Sequence, residues 1–108
     1  MEPEDREREE ALFVARREAP LWPEGQEPER RLEYLRPRQF VALRHACPVL
    51  YVPLGTVEWH GRHMPLGNDA LKAHGLCLRV AQAVGGIVHP PVYWGVDLWR
   101  KSPTGRIR

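Results

Sequence analysis

An apolar run, a loop crowded with glycine and proline, a stretch of helical periodicity and a second apolar run follow one another across residues 49–92. That order leaves few folds open, because two strands sharing a sheet across an intervening helix pair in parallel, with a right-handed crossover. Val49-Leu-Tyr-Val-Pro-Leu54 reads as a short buried strand, apolar on both faces as parallel strands between helices are, with Gly55 at its exit. From Asn68 or Asp69 as a cap, Leu71, Cys77, Leu78, Ala81 and Val84 recur at near-helical intervals until Gly85-Gly86 stops the helix. Ile87-Val-His-Pro-Pro-Val92 supplies the second strand, and Pro90 and Pro91 should end its regular pairing. The fold class is therefore α/β, built on a strand-loop-helix-strand unit.

The flanks are less regular. Residues 4–18 place acids early and arginines late, as a helix dipole favours, with Leu12, Phe13 and Ala15 as a short apolar patch. Pro20, Pro23, Gly25 and Pro28 then break any pattern, so residues 19–31 read as an exposed linker or a strap along the surface. A further helix starts at Pro37, with Phe40, Leu43 and Cys47 on one face, and ends near Pro48. Residues 1–31 are thus a charged helix and linker, and residues 32–108 one α/β domain.

Charge and composition narrow the function classes. Residues 1–31 hold ten acids and six arginines, which leaves the body basic within a net charge of +2. Those basic residues are scattered without interleaved aromatics, so they read as solvated surface and not as a nucleic-acid interface. No apolar run approaches the roughly 20 residues that span a bilayer, and Met1-Glu-Pro-Glu-Asp-Arg6 has no apolar signal core. Two cysteines, Cys47 and Cys77, sit in apolar patterns, which suits a reducing cytoplasm.

The chemistry is concentrated in Gly55-Thr-Val-Glu-Trp-His-Gly-Arg-His-Met-Pro-Leu-Gly-Asn-Asp69. This loop leaves the carboxyl end of a strand, where open α/β sheets bind ligands. Glu58 and His60 are two residues apart and project to one side of an extended segment, and Asp69 at a helix start can return a carboxylate toward them. Imidazole with carboxylate suits a borderline divalent ion such as zinc or manganese. A carboxylate can bridge two ions, so Asp69 could be shared while Glu58 and His60 complete different sites, with a water between the ions activated for attack on an amide carbonyl. The same residue types also cap helices and bond backbone amides. Trp59 would face away from Glu58 and His60 and pack, Cys77 would be buried and inert, and His45, His74 and His89 have structural readings.

The run from Val52 to Asp69 resembles the creatininase (creatinine amidohydrolase) family, whose early motif reads Pro-x-Gly-Ser/Thr-x-Glu-x-His-Gly-x-His-x-Pro-x-x-x-Asp. Gly85-Gly86, Pro90-Pro91, Tyr93-Trp94-Gly95 and Pro103-Thr104-Gly105 look like its next blocks. The resemblance implies that Glu58 is a ligand of one metal, His60 of the other, and that Asp69 bridges both. His63 matches the second histidine of the motif, which lines the site, and is the candidate for substrate or metal-adjacent contact. The implied fold is the N-terminal portion of a three-layer α/β/α sandwich. The implied activity is hydrolysis of a non-peptide C–N bond in a cyclic or small amide, with two divalent ions, zinc or manganese, in a homo-oligomer. Family members are considerably longer and bring further His and Glu ligands from later motifs. Only His89 and Asp97 remain as downstream candidates here. The competing expectation is a truncated, inactive chain acting as a metal-binding or interaction module, completed by a partner chain.

Overall fold

The computed structural model describes residues 2–8 and 20–95 of the 108-residue chain. It is a mixed α/β arrangement: α1 (Pro37–Ala46), β1 (Leu50–Tyr51), α2 (Asn68–Val84) and β2 (Ile87–Val88), preceded by a single 3-10 turn at Leu32–Tyr34. Residues 3–8 are helical, and the rest of the expected 4–18 helix lies outside the described residues.

β1 and β2 pair in parallel, Leu50 opposite Ile87 and Tyr51 opposite Val88, as the strand-helix-strand order requires. Ile87 N–H donates to the Val49 carbonyl at 2.9 Å and His89 N–H to the Tyr51 carbonyl at 2.8 Å. Pro90 and Pro91 have no N–H to donate, and the regular ladder ends before them, as expected, with an isolated pairing resuming beyond. Val92 N–H donates to the Pro53 carbonyl and Gly55 N–H to the Val92 carbonyl, at 2.9 and 3.0 Å, and Leu54 bridges Val92. The register there has slipped by one residue, so the two prolines are accommodated as a bulge. The segment before α1 is a strap. Val88 N–H donates to the Arg30 carbonyl at 2.7 Å, Arg31 bridges Val88, and Arg30 NH1 donates to the Gly86 carbonyl at 3.3 Å.

The helices end where local chemistry stops them. Pro37 opens α1, Arg36 N–H donates to Gln39 Oε1 at 2.8 Å, and Gln39 Nε2 donates to the Leu21 carbonyl at 2.8 Å, tying the strap to the helix. α2 is capped by Gly67, with Asn68 and Asp69 already inside its first turn, so the helix starts at least one residue earlier than a cap at Asn68 or Asp69 would place it. Asn68 N–H is satisfied by the Pro65 carbonyl at 3.1 Å, so neither side chain is needed as the cap. At the other end Gly85 and Gly86 take φ of 97° and 106°, and the Tyr51 ring lies 2.5 Å from where a Gly86 Cβ would stand. Only glycine satisfies both conditions.

The core is small: Leu43, Ala70, Ala81, Ile87 and Val88 are its buried apolar residues among those described. The fully buried residues of α2 are alanines, not its larger side chains. Of the residues read from the periodicity, Ala81 is fully buried and Cys77 and Leu78 are half-buried, but Leu71 and Val84 are exposed, and Ala70, outside that set, is fully buried. Small side chains let a helix approach a strand closely, and hydropathy alone does not flag them. β1 is likewise half open, with Leu50, Val52 and Leu54 exposed instead of buried on both faces. An apolar groove of about 360 Å³, lined by Phe40, Cys47, Pro48, Val49 and Ile87, lies at the amino ends of the strands. Cys47 and Cys77 are both free thiols, and Cys77 is half-buried, more accessible than its pattern suggests.

Val88 is fully buried at the point where the strap, β1 and α2 meet. Val88→Ala is expected to lower unfolding stability by about 2 kcal/mol, read as a reduced denaturation midpoint at unchanged slope.

Candidate metal centre

The loop from Gly55 to Gly67 leaves β1 at its carboxyl end and returns at the start of α2. Glu58 N–H donates to the Leu66 carbonyl at 2.9 Å, which closes the loop at its base, while Gly61 at φ 90° turns its tip. The returning chain enters α2 with Asp69 in the first turn, where the helix dipole favours a carboxylate.

Closure brings the three sequence-predicted ligands together. Glu58, His60 and Asp69 each offer one donor atom, all within 4.8 Å of one another. His60 Nε2 lies 3.0 Å from Asp69 Oδ1 and 3.5 Å from Glu58 Oε1. His60 Nδ1 is 3.0 Å from the Glu58 carbonyl, which can only accept, so a neutral ring that leaves Nε2 bare carries its hydrogen on Nδ1. In that tautomer Nε2 presents its lone pair to two carboxylates.

Three electron pairs directed at one small space repel one another unless a cation sits between them. A proton can fill that role. The His60 pKa is raised above the ordinary 6.5 by the Glu58 carbonyl on Nδ1 and then by the negative charges of Asp69 and Glu58. A divalent ion can also fill it, and a nitrogen-and-carboxylate donor set with a backbone-anchored histidine is what zinc and manganese sites use. The side chains are 36% (Glu58), 21% (His60) and 43% (Asp69) exposed, so the site is open to solvent.

The remaining candidates stay outside this cluster. His63 is exposed and lies against Gly61, its imidazole 3.4 Å from where a Gly61 Cβ would be. His89 is on the second strand segment, its Nδ1 donating to the Pro90 carbonyl at 2.8 Å. Asp97 lies outside the described residues. Trp59 is half exposed instead of packed. His74 lies on α2, and its Nε2 is buried with no hydrogen-bond partner among the described residues. Among the described residues, Glu58, His60 and Asp69 are the one grouping of this kind.

The family model described as creatininase, creatinine amidohydrolase, matches residues 33–105. The chain belongs to the creatininase family. It is also 39% identical over 57 residues to a creatinine amidohydrolase of Pseudomonas putida, an alignment covering 53% of this chain and 22% of that protein. The chain thus spans about a fifth of the length of the curated relative it matches. No solved structure matches it. Among the described residues no helix is long and apolar enough to cross a membrane.

In the metal-free chain the His60 imidazole should titrate above 6.5 in an NMR pH series, and Asp69→Asn should lower that pKa by removing one of its negative neighbours. Because a metal needs Nε2 unprotonated, zinc affinity should fall as pH drops through the same value. Isothermal titration at several pH values would measure that loss.

Proposed function

We propose that this chain carries the N-terminal part of the active centre of a metal-dependent amidohydrolase. The observation that carries the reading is the convergence of Glu58, His60 and Asp69 within 4.8 Å in a chain of the creatininase family. The substrate class is a cyclic or small amide whose non-peptide C–N bond is hydrolysed. Glu58 and His60 would belong to separate ions, with Asp69 between them, and zinc or manganese suits the donor set. A bound divalent ion would supply Lewis acidity, polarising an amide carbonyl and acidifying water.

The residues of the chain have distinct tasks in that scheme. The Glu58 carbonyl holds Nδ1–H, which keeps Nε2 of His60 free and fixes the ring plane. Glu58 and Asp69 supply the negative charge that makes a dication stable there. His63, exposed on the same loop, is available to contact substrate. The half-open donors need shelter from bulk water for hydrolysis to be selective, which further polypeptide would provide as a homo-oligomer or a partner chain. The open faces of β1 and α2 fit the first layers of a three-layer α/β/α sandwich, with residues 1–31 as an appended charged segment and residues 32–108 as the family domain. The composition and free cysteines favour a cytoplasmic setting.

A second reading has its own support. Three partly exposed donors suit a metal-binding or interaction module without turnover. Metal analysis and activity separate the two. The chain should retain a divalent ion through gentle purification, and Asp69→Ala should weaken zinc binding at least about 100-fold, more than loss of an outer contact costs. Hydrolysis of creatinine or small cyclic amides with added zinc or manganese supports the enzyme reading. Tight metal binding with no turnover at high protein concentration supports the module, and unchanged metal content in Asp69→Ala would sink both.

A further inference from the structure

We infer that Gly55 and Gly67 are positioning residues for the Glu58–His60–Asp69 cluster, their missing side chains letting β1's exit and the Tyr93 ring close on the first turn of α2. The inference rests on the metal reading above for its purpose, and on contacts of the chain itself for its geometry.

Neither glycine is required by its dihedral angles. The left-handed glycines among the described residues are Gly25, Gly61, Gly85 and Gly86, whereas Gly67 sits at φ −89° and ψ 18°, where other residues are comfortable. What distinguishes Gly55 and Gly67 is proximity. A Cβ on Gly55 would stand 2.6 Å from the Asp69 carbonyl carbon and 2.7 Å from Ala70 Cα, and would collide with the Ala70 nitrogen as well. Those are backbone atoms of a helix and cannot rotate aside. Ala70 is itself fully buried, so the helix start is held from its other side. A Cβ on Gly67 would stand 3.0 Å from Tyr93 Cε1, so the ring or the first turn of α2 would have to give way.

The consequence falls on the donors. Asp69 belongs to the peptide that Gly55 touches, while Glu58 and His60 are three and five residues beyond Gly55 on the outgoing arm. Any side chain at position 55 wedges the two arms apart and lengthens the 3.0 Å separation of His60 Nε2 from Asp69 Oδ1. Gly75, on the same helix with nothing within 4 Å of its missing Cβ, has no such role and serves as a control.

The test uses the whole chain and zinc as the probe. Gly55→Ala should weaken zinc binding by roughly 10–100-fold, as loss of a supporting contact does, with helical circular dichroism retained. Gly67→Ala should weaken it by about threefold to tenfold, and Gly67→Ala combined with Tyr93→Leu should restore it, because the clash is with a ring that has been removed. Gly75→Ala should bind as the parent does. Should Gly55→Ala fail to fold, the Gly67→Ala loss and its rescue decide the matter. Folded Gly55→Ala with unchanged affinity, or Gly67→Ala unchanged or unrescued, overturns the inference. Should the parent chain bind no zinc, the metal reading fails. The positioning claim is then tested on metal-free crystals of Gly55→Ala, where an unchanged His60–Asp69 distance refutes it and an opened one supports it.

Discussion

The loop that leaves β1 must return almost to its starting point, and the rest of the site depends on that closure. Gly55 lies against the Asp69–Ala70 peptide, and Glu58 N–H reaches the Leu66 carbonyl. A loop closed by backbone contacts does not rely on flexible side chains to hold its shape. The donors it carries are therefore placed by main-chain geometry, and the parallel pairing of β1 with β2 fixes the arm from which the loop departs.

Electrostatics then follows from placement. The Glu58 carbonyl occupies Nδ1 of His60, and two carboxylates face Nε2. The raised His60 pKa and the proposed affinity for a dication would have the same origin, since both relieve the repulsion among converged electron pairs. In the proposed reading His60 takes a proton without metal and would be a ligand with it, so pH and metal would compete at this centre.

Much of this was legible in the sequence, and the parts that were not share a cause. The order of the elements, the helix start at Pro37, the glycine stop after α2 and the three donors all follow from local chemistry, because spacing and turn residues act over a few positions. The buried start of α2 did not follow, since Ala70 is covered by the close approach of the chain at Gly55, distant in sequence, while Leu71 and Val84, on the expected face, are exposed. Nor did the continued pairing beyond Pro90 and Pro91. A bulge compensates for missing donors in three dimensions, and only the partner strand reveals it. The exposure of Leu50, Val52 and Leu54 had the same origin, as a strand's apolar pattern does not say whether both faces are covered in this chain.

Zinc-soaked crystals measured on both sides of the zinc absorption edge test the central claim most directly. The account predicts anomalous difference density for two ions at the Glu58–His60–Asp69 cluster, one beside Glu58 and one beside Nε2 of His60, with Asp69 between them. A peak ligated through Nδ1, or zinc bound at His63, His74 or His89 with nothing between the three donors, would contradict it.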